Sequence, residues 1–301
     1  MTDLRGRLVD TGYAAGWGAV RALPEPLARA VFSAAGGWAA GRQGRGVRQL
    51  RANLRVATGL DGTALDDLTS DALRSYARYW LEAFRLPTLG TARVLRDTTV
   101  PGREHIDAAR AAGRPIVLAL PHSGNWDAAG VWFVDWLGGE FMTVAERLRP
   151  EQLYERFLAY RESLGFRVVP LTGGERPSSV LLTEWLRAGR SACLLVDRDL
   201  SASGVPVQFF GRPATLPGGP ALLAARTGAA LMPVVCTFDG PGWRLTVHPE
   251  VDVHGPGRLR DRVQAGTQGI ADAFAAGIAQ RPVDWHQLGR VWADVGPDPV
   301  R

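Results

Sequence analysis

The hydrophobic positions of this 301-residue chain follow two different patterns. Up to about residue 95, apolar side chains recur at helical spacing, most clearly over 71–84, and Thr63 has the features of a helix N-cap. From Val100 onward, short apolar runs typical of strands alternate with helical stretches. This alternation predicts an α/β fold in which a central mixed or mostly parallel sheet is flanked by helices, with a helical N-terminal region.

The predicted elements define the expected organisation. Strands are predicted at 115–120, 141–144, 167–171, 192–196, 231–238 and 244–249. Helices are predicted at 126–137, 150–164, 177–188, 218–227 and 263–280. Because no low-complexity linker separates the two patterns, residues 1–95 are expected to pack on a core formed by 96–301, as one globular unit.

The segment Pro121-His-Ser-Gly-Asn-Trp-Asp127 carries the strongest chemical signal. It follows a predicted strand, so His122 is expected at the carboxyl edge of the sheet, where open α/β folds place their ligands. Asp127 falls in the first turn of the next helix, where it could hold the imidazole or simply cap the helix. A histidine held by a carboxylate is suited to general-base catalysis, although a lone histidine after a strand is more often structural.

A second acidic cluster, Asp197-Arg-Asp199, follows the predicted strand 192–196. By the same argument it reaches the same edge of the sheet, and Asp197 is the better candidate to contact His122. Whether Asp127 or Asp197 orients the ring stays open. Arg198 is a candidate for substrate binding, or else part of a surface ion pair.

Further candidates for substrate binding come from three places. Asn125 and Trp126 lie inside the first segment, and Thr215 and Gly218 lie in a small-residue stretch before a predicted helix. Glu146 and Arg147 lie at another predicted strand end, and Arg161 follows the helical stretch 154–160. The simpler interpretations are a strand-to-helix loop for Thr215 and Gly218, and a solvated surface for the charged residues.

Charge narrows the choice of partners. The formal net charge is +5, and every basic residue is arginine, which binds phosphate in bidentate fashion. This favours a phosphorylated substrate or an anionic membrane surface, whereas no nucleic-acid-binding motif is found. No stretch is long and apolar enough to predict a membrane-spanning helix. Residues 9–40 predict short helices that either lie in a membrane interface or pack within the domain.

Several motifs are absent from the sequence. It has no Gly-x-Ser-x-Gly elbow, no phosphate-binding P-loop and no cluster with metal-ligand spacing. A histidine–carboxylate pair without its own nucleophile suggests that the substrate supplies one, as an alcohol does when it attacks an acyl donor. No metal and no cofactor are expected.

These blocks together resemble the lysophospholipid and lipid A-type acyltransferase superfamily. The resemblance rests on the His-x4-Asp spacing of His122 and Asp127 and on the later run 209–221, and it covers nearly the full chain. Within the superfamily, actinobacterial phosphatidylinositol mannoside acyltransferases are the most similar branch. The stretches that suggest this branch are 75–85, 144–149, 160–165, 196–199 and Asp284-Trp-His286.

The resemblance implies an enzyme that transfers a fatty acyl chain from acyl-CoA, as co-substrate, to a mannose hydroxyl of mannosylated phosphatidylinositol or a similar glycolipid. A lipid A-type or lysolipid acceptor is the alternative. It implies peripheral attachment at the cytoplasmic face of the plasma membrane and His122 as general base. Asp197 stands where this branch typically has glutamate. Glu146 and Arg161 are similar to polar positions that line the acceptor site.

Overall fold

The computed structural model describes residue 18 and residues 20–147, 151–199 and 203–299, without the side chains of residues 152 and 153. The part of the expected interface helices at 9–17 lies outside the described residues.

The N-terminal region is helical, as its spacing predicts. Its helices are α1 (Glu25–Arg42), α2 (Arg45–Thr58), α3 (Gly62–Leu89) and α4 (Thr91–Arg96). Asp61 caps α3, since its carboxylate accepts a hydrogen bond from the Gly62 N–H, and the expectation that Thr63 is the cap is wrong. Helix α1 lies directly against α3 because Gly36 has no side chain: a Cβ there would come within 2.7 Å of the Leu73 carbonyl oxygen.

Strands and helices alternate through the rest of the described chain. The strands are β1 (Thr98–Thr99), β2 (Ile116–Leu120), β3 (Phe141–Ala145), β4 (Phe166–Pro170), β5 (Ala192–Leu195), β6 (Val205–Phe209), β7 (Arg212–Leu216), β8 (Ala230–Asp239) and β9 (Gly242–Val247). The helices are α5 (Arg103–Ala111), α6 (Trp126–Leu137), α7 (Glu151–Ser163), α8 (Ser178–Arg187), α9 (Gly219–Thr227) and α10 (Leu259–Gln280), followed by a 3₁₀ turn at Pro282–Asp284.

A seven-stranded sheet forms the centre of the fold, in the order β1-β9-β8-β2-β5-β3-β4. Neighbouring strands are parallel except β8 and β9, so the predicted mixed, mostly parallel α/β fold is confirmed. The register of β2 and β5 pairs Leu120 with Leu195, so the residues that follow both strands emerge at the same edge. The hairpin β6–β7, the helix α5 and the short strand β1 were not predicted from the sequence.

Two apolar clusters hold the helices on the sheet. Leu50, Leu54 and Leu65, from α2 and α3, join one cluster, and Tyr79 and Leu86, farther along α3, join the other. Helix α3 therefore buries side chains in both clusters and fixes the N-terminal helices to the α/β core.

One carboxylate of the C-terminal segment pairs with two arginines of α2. Arg55 donates to both oxygens of Asp298, at 2.6 and 2.7 Å, and Arg51 also donates to it. Burial by itself raises the pKa of Asp298, but the hydrogen bonds from Arg55 and Arg51 outweigh it, so the pKa lies below the ordinary aspartate value. This ion pair is expected to stabilise the folded chain while the carboxylate is charged.

Replacing Asp298 by Asn should lower the free energy of unfolding at neutral pH by about 1–2 kcal/mol, a figure that allows for the partial exposure of Arg55. Because the folded-state pKa is lowered, the stabilisation is present above the ordinary aspartate pKa and is lost as the pH falls through the lowered value. Urea unfolding at several pH values should therefore show the two proteins converging in acid. Asp71→Asn, which removes an exposed pair with Arg74, is the control and should change little. A gap between wild type and Asp298→Asn that persists in acid would contradict this assignment.

Candidate active site

His122 and Asp197 meet at the carboxyl edge of the sheet. His122 follows β2 and Asp197 follows β5, and the imidazole Nδ1 lies 2.5 Å from the Asp197 Oδ1. The carboxylate is fully buried, whereas the His122 side chain is 35% exposed. The two adjacent parallel strands therefore place a buried acid behind a histidine that faces an open cavity.

The second oxygen of Asp197 is also satisfied. Its Oδ2 accepts hydrogen bonds from the Trp285 indole N–H at 3.0 Å and from the Gln287 amide at 3.1 Å. Burial by itself raises the pKa of this carboxyl, but His122 and the Trp285 N–H lower it below its ordinary value. Because an ionised carboxylate only accepts hydrogen bonds, Nδ1 of His122 carries the ring proton, and Nε2 is left as a base.

The loop that carries His122 is held by the segment after α10. The His286 N–H donates to the His122 carbonyl, and the Gly124 N–H donates to the Asp284 carbonyl, each at 2.8 Å. Gly124 has a φ of +53°, and a Cβ there would lie 2.7 Å from the Cys236 backbone. Only glycine adopts this φ readily and avoids the clash of a Cβ with the Cys236 backbone. The two hydrogen bonds hold one side of the loop, and the Cys236 backbone lies against the other.

Asp127 lies beside His122 in sequence but has other partners. It is buried, with Oδ1 accepting from the Arg161 Nε at 3.2 Å and Oδ2 accepting from the Tyr79 hydroxyl at 3.1 Å. Tyr79 in turn stacks on Trp126, with ring centroids 3.9 Å apart, and Trp126 meets the edge of the His122 ring. The structure thus places Asp197, and not Asp127, on the imidazole, while Asp127 supports the aromatic wall next to it.

A cavity of about 1210 Å³ opens at His122. Tyr76, Trp80, Phe157, Leu194 and Leu223 are among its apolar lining residues. The sequence-derived candidates that line it are His122, Trp126, Glu146, Arg161, Arg198 and Gly218. The cavity therefore has a largely apolar lining that includes the histidine and several charged residues.

Three sequence-derived candidates lie elsewhere. Arg147 is exposed and pairs with Glu151, and Thr215 is exposed on β7. Asn125 is buried: its side chain caps α6 at the Ala128 N–H and donates to Glu82. None of these residues lines the cavity: Arg147 and Thr215 lie on the surface, and Asn125 holds the loop.

His286 is a cavity-lining residue whose role the sequence did not reveal. Its Nε2 lies 2.9 Å from the Ser75 hydroxyl, which also donates to Asp284 at 2.6 Å. Burial, together with the nearby His122, lowers the pKa of His286 to about 3, so its ring stays neutral. The only sequence signal was the polar stretch Asp284-Trp-His286 itself, since the partner Ser75 lies far away along the chain.

Two features are absent from the part of the chain that the structure describes. No group of three or more His, Cys, Asp or Glu side chains there could hold a metal ion. None of the helices in these residues is long and apolar enough to span a bilayer.

The chain is similar to several known proteins. Residues 6–294 match the bacterial lipid A biosynthesis acyltransferase family. The phosphatidylinositol mannoside acyltransferase of Mycolicibacterium smegmatis is 53% identical over 290 residues, which cover 96% of this chain and 93% of the relative. The protein of the same name from Mycobacterium tuberculosis is 51% identical over 286 residues, covering 94% and 88%.

The position of Asp197 predicts the tautomer of His122. In ¹⁵N NMR spectra of the imidazoles, His122 should show a protonated Nδ1 in the wild type and in Asp127→Asn. Asp197→Asn should lose this preference, because an amide can donate as well as accept. His122→Gln assigns the signal among the five histidines. The same tautomer in Asp197→Asn, or its loss in Asp127→Asn, would show that Asp197 does not orient the ring.

Proposed function

The chain belongs to the bacterial lipid A biosynthesis acyltransferase family, and from this premise we propose that it transfers a fatty acyl chain from acyl-CoA to a mannose hydroxyl of a phosphatidylinositol mannoside. The family makes it an O-acyltransferase. The names of its relatives support the mannoside as acceptor. The observation that carries the proposal is a histidine in the lining of a largely apolar cavity, whose Nε2 has no hydrogen-bond partner among the described residues.

His122 acts as the general base in this scheme. Its Nε2 removes the proton of the sugar hydroxyl as the oxygen attacks the thioester carbonyl. The C–S bond then breaks, and the thiolate of coenzyme A takes the proton from the imidazolium. Asp197 stabilises the imidazolium, and its hydrogen bond to Nδ1 keeps Nε2 directed at the acceptor.

The oxyanion of the tetrahedral intermediate needs N–H donors. The sequence suggested the backbone of the 122–127 turn, but the N–H groups of Ser123 and Gly124 already donate to the carbonyls of Pro121 and Asp284. The N–H groups of Trp126 and Asp127, in the first turn of α6, have no partner among the described residues. They also lie at the positive end of the helix dipole, and we assign the oxyanion to this helix start.

The cavity lining indicates where the parts of the two substrates bind. The acyl chain occupies the apolar interior, where its burial is favourable. Arg198, which lines the cavity next to Asp197, is positioned to bind a phosphate of coenzyme A. Glu146 and Arg161 line the same cavity and contact the acceptor sugar in this proposal.

Purified protein should acylate a phosphatidylinositol mannoside when supplied with palmitoyl-CoA, as mass spectrometry of the products can show. His122→Gln should reduce the rate about a thousandfold, because the base is lost. His105→Gln removes a histidine outside the cavity and is the matched control. A panel of lipid A-type and lysolipid acceptors tests the alternative substrates. Preference for one of them would refute the mannoside, and full activity of His122→Gln would refute the base.

The outward face of α1 supports attachment to a membrane. Leu27, Val31 and Trp38 lie on one face of this helix and are 51%, 50% and 64% exposed. The Arg42 guanidinium lies 4.5 Å from the centre of the Trp38 ring. An exposed apolar face with arginine at its edge fits the interface of an anionic bilayer, so the protein is proposed to bind peripherally at the cytoplasmic face of the plasma membrane.

Replacing Leu27 and Trp38 by Ser should weaken binding to phosphatidylglycerol-containing vesicles at least about tenfold in flotation assays, because apolar burial in the interface is lost. Leu60→Ser, which changes an exposed leucine elsewhere, is the control. Binding of the wild type should also weaken with salt. Undiminished binding of the Leu27 and Trp38 variant would rule out this face.

A further inference from the structure

Helix α2 buries two amide side chains on the face that packs in the core. Gln49 and Asn53 lie four residues apart, beside the buried Leu50 and Leu54, and both are buried themselves. A buried amide costs free energy unless its donors and its acceptor are paired. The partners of these two side chains therefore indicate what the pair does.

Asn53 holds the backbone of the segment after α10. Its Nδ2 donates to the carbonyl oxygens of Gln287 and Gly289, at 2.7 and 2.8 Å. Its Oδ1 accepts a hydrogen bond from the Gln49 Nε2 at 3.0 Å. If the amide were turned over, its oxygen would face two carbonyl oxygens, so the amide has one orientation. Helix α2 thereby fixes the turn at 287–289.

This turn orients the side chain of Gln287. The Gly289 N–H donates to the Gln287 Oε1 at 3.0 Å, and the Gln287 Nε2 donates to the Asp197 Oδ2 at 3.1 Å. A reversed amide would lose the bond to Gly289 and would place an oxygen against an ionised carboxylate. Gln287 is therefore held as a donor to Asp197.

The donors on Oδ2 leave the other oxygen of Asp197 for the histidine. Trp285 and Gln287 both donate to Oδ2, whereas Oδ1 contacts the Nδ1 of His122. Hydrogen bonds to an ionised carboxylate are stronger than those between neutral groups. A continuous chain of contacts thus runs from Asn53 in α2, through Gln287 and Asp197, to the imidazole.

We propose that Asn53 and Gln287 are positioning residues for acyl transfer. Through them, α2 fixes the carboxylate of Asp197 and with it the tautomer of His122. When either amide is lost, Oδ2 loses a donor or holds it in the wrong place, and the carboxylate turns to share its oxygens among the remaining donors. Part of the population then carries the ring proton on Nε2, where the ring cannot accept the proton of the substrate hydroxyl.

The pairing of buried polar groups is by itself a sufficient reason for each single hydrogen bond of this chain. That role predicts a loss of stability when an amide is removed, but no change in the tautomer of His122. The effect on the rate rests on the proposed function, whereas the effect on the tautomer requires no acyl transfer.

Gln287→Met and Asn53→Leu each remove one amide and nearly keep the size of the side chain. Each should lower kcat for transfer from palmitoyl-CoA about tenfold, because a charge-assisted hydrogen bond to Asp197 is lost or misdirected. The KM of each substrate should change less than about twofold, because neither residue lines the cavity. In ¹⁵N NMR spectra, each variant should reduce the preference of His122 for a protonated Nδ1.

Asp298→Asn is the matched control, because Asp298 also joins α2 to the C-terminal segment but lies outside this chain of contacts. It should lower the stability and keep the kcat and the His122 tautomer of the wild type. Where Asn53→Leu does not fold, Gln49→Met removes the donor to the Asn53 Oδ1 and should shift the tautomer in the same direction.

The double variant Asn53→Leu/Gln287→Met tests whether Asn53 acts through Gln287. Its kcat should be about tenfold lower than that of the wild type, as in each single variant, because the second change removes nothing further. A hundredfold loss would show two independent effects and would contradict the proposal.

Other results would also overturn it. A wild-type kcat and tautomer in folded Asn53→Leu would show that α2 does not position the pair. Equal losses in Asp298→Asn would show that any loosening of the C-terminal segment has this effect. A raised KM without a change in kcat would place Asn53 and Gln287 in substrate binding instead. If the tautomer shifts as expected but the wild type transfers no acyl chain, the proposed function fails and the positioning of His122 stands.

Discussion

The buried hydrogen bond between His122 and Asp197 is the interaction on which the rest of the site depends. It joins two neighbouring parallel strands at their carboxyl ends, where the backbone ladder stops. A buried carboxylate is costly unless its oxygens are satisfied, and here the Trp285 indole and the Gln287 amide satisfy the second oxygen. The segment after α10 therefore has to close over the edge of the sheet before the pair is stable.

Helix α3 supplies the other half of the support. Ser75, Tyr79 and Glu82 follow one another at spacings of four and three residues, so they share one face of the helix. Ser75 contacts His286, Tyr79 donates to Asp127, and Glu82 accepts from Asn125. This polar face lies among apolar neighbours that pack in the core. The N-terminal helices thus build the wall of the site as well as covering the sheet.

Open α/β folds place their functional residues at the carboxyl ends of the strands. This rule was enough to predict that His122 and Asp197 would meet. It could not decide against Asp127, because the partners of Asp127 come from α3 and α7, at sequence distances that no local pattern encodes. Arg147 was misplaced for a related reason: a position near a strand end does not say which way a side chain points. Thr215 was misplaced because the stretch interpreted as a loop before a helix forms β7. The hairpin β6–β7 was missed because proline and glycine interrupt its alternation.

The aspartate at position 197 reaches the imidazole because of the backbone that carries it. The Val196 N–H donates to the Leu120 carbonyl at 2.9 Å, which extends the ladder of β2 and β5 up to the residue before the acid. With its backbone held this close to the loop of His122, the shorter side chain still reaches Nδ1. It also has one rotatable bond fewer than glutamate, so less conformational entropy is lost when the carboxylate is fixed. The short side chain therefore suffices for the pair with His122, because the backbone of the sheet holds Asp197 close to the imidazole.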